Sequence, residues 1–260
     1  MSNPDNLLLL FPFGQGAIGT FIAILPRKLV KLISTFGFPS DGDMEQGLGQ
    51  LEEVFYLGGC RSMLAALMVL SFVILLPPLF SLDTTASLSR AEVMLHEVFK
   101  RHPESCLFRW LQGKAALLRR DVSGALKAFN RATAANRQWP QLQHMCAFEL
   151  GWSHFYNLQY EPAAAHWRLL FAENQWSKAF YAYMQACCGL GQLGLADSEQ
   201  DHKTMEKQIT ELLRTAKHEA SLRKFGGKVL DIEQWILRRA AGMLSQVATI
   251  KLFPPSLHII

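Results

Sequence analysis

The sequence predicts an all-α protein, a right-handed superhelix of antiparallel helix pairs stacked as an α-solenoid. Three observations carry that expectation. Apolar residues recur at spacings of three and four, in blocks separated by short Gly, Pro, Asp and Ser clusters, which is the period of a helix with one buried face. No block alternates with period two for long enough to specify a strand. Finally, Gly113 is followed by Ala125, Phe129 and Ala132, and Gly151 is followed by Ala163, Trp167 and Leu170 at the same offsets.

Breaks between helical blocks fall near Pro26, at 37–42, 58–61, 77–85, 102–104, 120–123 and 138–140, near Gln159, and at 174–175, 191–201 and 223–227. Each is marked by residues that interrupt a helical hydrogen-bond ladder or favour turns. Pro77 and Pro78 end or kink the block before them, because neither supplies a backbone donor and each clashes with the preceding turn. Ser123 is placed to cap the block after it, its hydroxyl accepting from an orphan amide of the first turn.

The repeated offsets are those of a tetratricopeptide repeat. There a small residue sits where two antiparallel helices cross, and bulky ones sit where the next repeat stacks. The two glycines lie 38 residues apart against 34 in the consensus repeat, so the link between these units is lengthened. A third unit runs over 176–213: Ala179, Ala182 and Ala186 give a small face, and Ile209, Leu212 and Leu213 follow in a degenerate second helix. Such repeats need at least about three neighbours to bury their apolar faces.

Composition excludes several classes. A chain of 260 residues with 50% hydrophobic content can bury a substantial core. Its 26 basic and 22 acidic residues leave a net charge of only +4, too even a balance for a duplex-binding face, so nucleic acid is not an expected partner. Five cysteines, among them adjacent Cys187 and Cys188, form no Cys-x-x-Cys pair; an odd, scattered set points to a reducing compartment. The start carries Asp5 and no basic residue before the apolar run, unlike a secretory leader.

Two stretches compete with a purely soluble reading. The one from Leu7 to Leu25 is uncharged over 19 residues and the one from Met63 to Phe80 over 18, close to the roughly 20 residues that span a bilayer. Gly14, Gly16, Gly19 and Pro12 interrupt the first, and Pro77-Pro78 the second. Burial in a solenoid is the favoured reading, consistent with a mean hydropathy of +0.09, and membrane insertion or association through these stretches is its rival.

Motifs for chemistry are weak. Gly14, Gly16 and Gly19 spell Gly-x-Gly-x-x-Gly after the strand-like run 7–10, and a nucleotide-binding enzyme built on them is the remote alternative. The context fails, since Pro26 follows too soon for a crossover helix and no strand succeeds it, and close helix packing is the favoured reading of these glycines. His96-Glu97 lacks the second His of a zinc protease, Gly113-Lys114 lacks the rest of a phosphate loop, and no Gly-x-Ser-x-Gly elbow exists. No catalytic residue, metal, cofactor or small-molecule substrate is expected. Trp110, Trp139, Trp152, Trp167 and Trp176 punctuate the repeats and read as packing residues rather than ligand cages. Toward the C-terminus Arg214, Lys217, Arg223, Lys224, Lys228, Arg238 and Arg239 outnumber Glu219, Asp231 and Glu233. That is a solvated face or, functionally, a dock for an acidic peptide or anionic lipid.

The run from His144 through Glu149 to Gly151-Trp152, the run Trp176-Ser177-Lys178-Ala179-Phe180, and Gly37-Phe38-Pro39-Ser40-Asp41 with Gly47-Leu48 resemble the tetratricopeptide-repeat protein 39 family, related to fungal inclusion-body-clearance proteins. Phe13-Gly14-Gln15-Gly16, Leu111-Gln112-Gly113-Lys114 and Gly227-Lys228-Val229-Leu230 before Trp235 agree with it. The resemblance covers about residues 13–241 and implies a helical scaffold without catalytic residues. It implies a cytoplasmic setting or, as for fungal relatives, the mitochondrial outer membrane, and roles in lipid homeostasis, ciliary assembly or inclusion-body clearance. Relatives are about twice as long, so this chain resembles a partial member.

The expected organisation is an atypical extension (1–12), an apolar helical part (13–85), tetratricopeptide-like repeats (86–219), a C-terminal helix (220–246) and an atypical tail (247–260). Partner proteins or peptides are expected along the groove formed by first helices, where Arg109, Lys114, His144 and Lys178 are the candidate contacts. Gly113, Ala125, Phe129, Ala132, Gly151, Trp152, Ala163, Trp167 and Trp176 are the candidate packing positions.

Overall fold

The computed structural model describes residues 9–37, 42–79, 84–135, 138–193 and 198–250. These residues form twelve helices and one two-stranded ribbon, so the fold is all-α. The chain divides into two compact units, Met1–Arg120 and Asp121–Ile260.

The first unit holds α1 (Leu10–Ile24), α2 (Arg27–Ser34), α3 (Met44–Leu57), α4 (Ser62–Leu79), α5 (Thr85–Arg101) and α6 (Cys106–Leu118). Pro12 falls in the first turn of α1, where its missing N–H would have had no intrahelical partner. Asp43 caps α3, its Oδ1 accepting from the Gln46 amide at 3.0 Å. α1 and α3 cross backbone to backbone: a Cβ on Gly16 would stand 2.8 Å from the Gly47 carbonyl oxygen, and one on Gly47 2.8 Å from that of Gly16. Only glycine at both positions permits that approach.

α4 runs through Pro77 and Pro78, which occupy its last turn, and packs on α3, α5 and α6. With neighbours on three elements it buries Ala65, Ala66, Val69, Leu70 and Ile74, and this accounts for its lack of charge. Arg90 of α5 stitches the layer to α3, its Nε donating to Glu52 at 2.5 Å and its Nη1 to Glu45 at 2.7 Å.

The second unit holds α7 (Val122–Ala135), α8 (Pro140–Tyr156), α9 (Tyr160–Glu173), α10 (Lys178–Leu193) and α11 (Glu199–Leu222). They are followed by β1 (Lys224–Phe225), β2 (Lys228–Val229) and α12 (Asp231–Ile250). Each helix packs on the next, and α12 also reaches α10, the nearest-neighbour stacking of a solenoid.

Two local details correct the sequence reading. α7 is capped by Asp121, whose Oδ1 accepts from the Gly124 amide at 2.8 Å. Ser123 already lies inside the helix, and a cap must precede the first helical residue. Residues 223–227 are more than a break, because Lys224 pairs with Val229 and Phe225 with Lys228. Gly226 and Gly227 have φ of 55° and 79°, the left-handed pair that closes a two-residue hairpin.

Among the described residues no helix is long and apolar enough to cross a membrane. The ends of the apolar stretches at Leu7, Leu8 and Phe80 lie outside the described residues, as do 38–41 of the Gly-Phe-Pro motif and 251–260 of the tail.

Candidate partner-binding cleft

The second unit is organised around an aromatic core. Trp167 of α9 is fully buried and meets Phe148 and Trp152 of α8 at ring-centroid distances of 5.5 and 5.7 Å, and Phe180 of α10 at 5.9 Å. These edge-to-face pairs favour a fixed mutual orientation. Gly151 makes room for them: a Cβ there would come within 2.7 Å of the Trp167 ring.

On this rigid support α9, α10 and α11 enclose a cleft of about 560 Å³. Its polar lining is Glu161 and Arg168 from α9, Gln185 and Gln192 from α10, and Asp201 and Gln208 from α11. Gln185, Gly189 and Gln192 share one helical face. Gly189 lets α11 approach, since a Cβ there would lie 2.8 Å from Ile209 Cγ1. Gln192 Nε2 donates to Glu161 Oε2 at 2.8 Å, and Ser198 opens α11 by accepting from the Asp201 amide at 3.1 Å. The three glutamines can each donate and accept, and Arg168 stands with two carboxylates. Ala164, Met205, Ile209 and Leu212 make up the apolar part of the lining.

Among the described residues no group of three His, Cys, Asp or Glu side chains could hold a metal. Burial pushes the Cys187 and Cys188 thiols up to about 11 and about 12, away from the thiolate that a nucleophile requires. His166, stacked on His154 at 5.6 Å, is pushed down to about 4, first by burial and then by His154. The remote enzyme alternative loses its glycine fingerprint, and Gly16 sits in the close helix packing that the sequence favoured. Gly14, Gly16 and Gly19 lie inside α1, so they open no helix and present no row of free amides to a phosphate.

The predicted contact residues are distributed differently from the cleft, and none of them lines it. In the first unit Arg109 lies 3.9 Å over the Phe99 ring and donates to the Pro103 carbonyl at 2.9 Å and to Gln112 at 3.0 Å. Lys114 lies 6.0 Å from the Trp110 ring centroid. In the second unit His144 Nε2 is 3.2 Å from Glu173, and Lys178 is 5.7 Å from the Phe171 centroid. Of the packing positions, Gly113 is buried in α6, Ala125, Phe129 and Ala132 in α7, Gly151 in α8, and Ala163 and Trp167 in α9. Trp152 is half-buried and Trp176 exposed, the latter touching Phe148 and Phe180 from the rim. Trp139 is exposed at the start of α8.

The family model described as Iml2/Tetratricopeptide repeat protein 39 matches residues 11–260. The chain belongs to this family. The match takes in residues 247–260, which the sequence reading sets apart as an atypical tail. For the Iml2/Tetratricopeptide repeat protein 39 family a tetratricopeptide-like helical scaffold follows, in agreement with the stacking of α7 to α12. No solved structure matches the chain. The cleft had a signal in the sequence, the i, i+4, i+7 face of Gln185, Gly189 and Gln192. It needed α9 and α11 beside it to become a site.

Proposed function

We propose that this chain is a non-catalytic scaffold that binds partner polypeptides, an extended segment lying in the cleft between α9, α10 and α11. The observation that carries this reading is the amide-rich lining on a rigid aromatic support. Gln185, Gln192 and Gln208 can exchange paired hydrogen bonds with a main chain, while Arg168, Glu161 and Asp201 select side chains by charge. Arg109, Lys114, His144 and Lys178 are proposed as further contact points on their own units. The setting is cytoplasmic, with association at an organelle membrane as the second reading. Which of lipid homeostasis, ciliary assembly or inclusion-body clearance applies is set by the partner.

Peptides selected from a display library on the whole chain test this. The double variant Gln185→Ala, Gln208→Ala should weaken a selected peptide by about fivefold or more, since each lost hydrogen bond is worth about 0.5–1.5 kcal/mol. Unchanged affinity in a variant with the parental melting curve would move the binding site elsewhere.

A further inference from the structure

The first unit leaves apolar side chains uncovered on two consecutive helices. On α1, Phe11 and Ile18 lie on one helical face, away from the Gly16 face that meets α3, and Phe11 is 71% exposed; Phe21, at the edge of that face, is half-exposed and rests edge-to-face on Phe72 of α4 at 5.5 Å. On and just after α2, Leu29, Leu32 and Phe36 are exposed, Phe36 at 76%. Single exposed apolar residues need no explanation, whereas a run of them on neighbouring elements marks an interaction surface.

Charge says which surface. Between residues 9 and 37 the only charged side chains are Arg27, Lys28 and Lys31. All three are exposed on α2, and on a helical wheel they cluster opposite Leu29, Val30 and Leu32. A basic polar face against an apolar face, with no acidic residue in either helix, is the pattern of a segment that lies in a membrane interface. The shallow groove of about 410 Å³ beside Phe11 and Ile18 also includes Asp43, whose carboxylate is engaged in capping α3. α1 has 15 residues and α2 has eight, too short to span a bilayer, and they are joined only through Leu25 and Pro26. A fluid lipid surface accepts the side chains of both helices without a preformed complementary shape.

We propose that α1 and α2 dock the protein on the surface of an anionic lipid bilayer. Phe11, Ile18, Leu32 and Phe36 enter the acyl boundary and Arg27, Lys28 and Lys31 bind headgroup charge. The dock is interfacial and not a span, and it lies on the first unit, independent of the peptide cleft on the second.

Co-sedimentation of the whole chain with vesicles tests it, using phosphatidylcholine alone and phosphatidylcholine mixed with phosphatidylserine. Binding is expected to the mixed vesicles, weaker to the neutral ones, and to fall as added salt screens the surface. Lys28→Glu with Lys31→Glu should lower it by at least about 30-fold, each basic residue at an anionic surface contributing roughly fivefold. Phe11→Ser with Phe36→Ser should abolish it while leaving the melting curve of the protein intact, because both rings are exposed. Equal binding to both vesicle types, or unaffected variants, would overturn the proposal. So would absence of binding by the parent chain, including the case in which the serine variants instead dissolve a dimer, which would assign the face to a second copy.

Discussion

Glu233 sits on α12 with 1% of its surface exposed, and one of its two oxygens has no hydrogen-bond partner. The other accepts from the Ser177 hydroxyl at 2.9 Å, and Ser177 in turn caps α10 by accepting from the Phe180 amide at 3.1 Å. One carboxyl thus ties α12 to the start of α10. Burial is the largest influence and raises its pKa above the ordinary 4.5, against the opposing pull of Ser177 and Arg223. The folded chain therefore holds the proton more tightly than the unfolded chain. Between 4.5 and the raised value the native state carries more protons, so this contribution to stability is fully present below 4.5 and is lost as pH rises through that window. Denaturant titrations across the acid range should show Glu233→Gln flattening that fall. An unchanged slope would mean that the carboxyl is already ionised in the fold. Sequence reading counts Glu233 only as one acid among many bases, because nothing local to it reports that Ser177 and Arg223 will meet it.

Helix crossings carry the largest consequences at the level of elements. Alanine at Gly151 would place a methyl within 2.7 Å of Trp167, a ring held on all sides by Phe148, Trp152 and Phe180. Overpacking of that kind costs about 1–3 kcal/mol, and each kcal/mol lowers the melting temperature of a chain of this size by roughly 2–4 °C. The same substitution at Gly49 should act in the opposite direction. A Cβ at Gly49 meets nothing within 4 Å on an exposed turn of α3, so the gain in helix propensity is about 0.5–1 kcal/mol. Paired thermal melts of Gly151→Ala and Gly49→Ala check both signs. The Gly151, Ala163, Trp167 pattern was legible because a crossing needs a small residue opposite a large one at fixed helical offsets. The cap at Asp121 and the hairpin at 224–229 were less so: one depends on where the first turn begins, and the other on two residues per strand, too few to show a period.

Across the whole molecule the two apolar stretches meet different fates. α4 is covered by three helices, while α1 keeps one face open. Alkaline carbonate extraction of membranes from cells making the protein should release it into the supernatant, since neither helix is long and apolar enough to span and an interfacial dock on a few side chains and headgroup charge is stripped. Retention in the pellet would mean that the apolar side chains insert more deeply than a surface dock does. The sequence by itself determined the all-α class, the boundaries of most helices, the tetratricopeptide-like stacking and the family, because hydrophobic period, helix breakers and small-to-large offsets are local and recur along the chain. Only the tertiary structure decided which apolar residues stay exposed, that Gly47 is the partner Gly16 crosses, and that glutamines from α10 and α11 share a cleft with Arg168. Burial and convergence depend on neighbours dozens of residues away, whose identity no local period encodes.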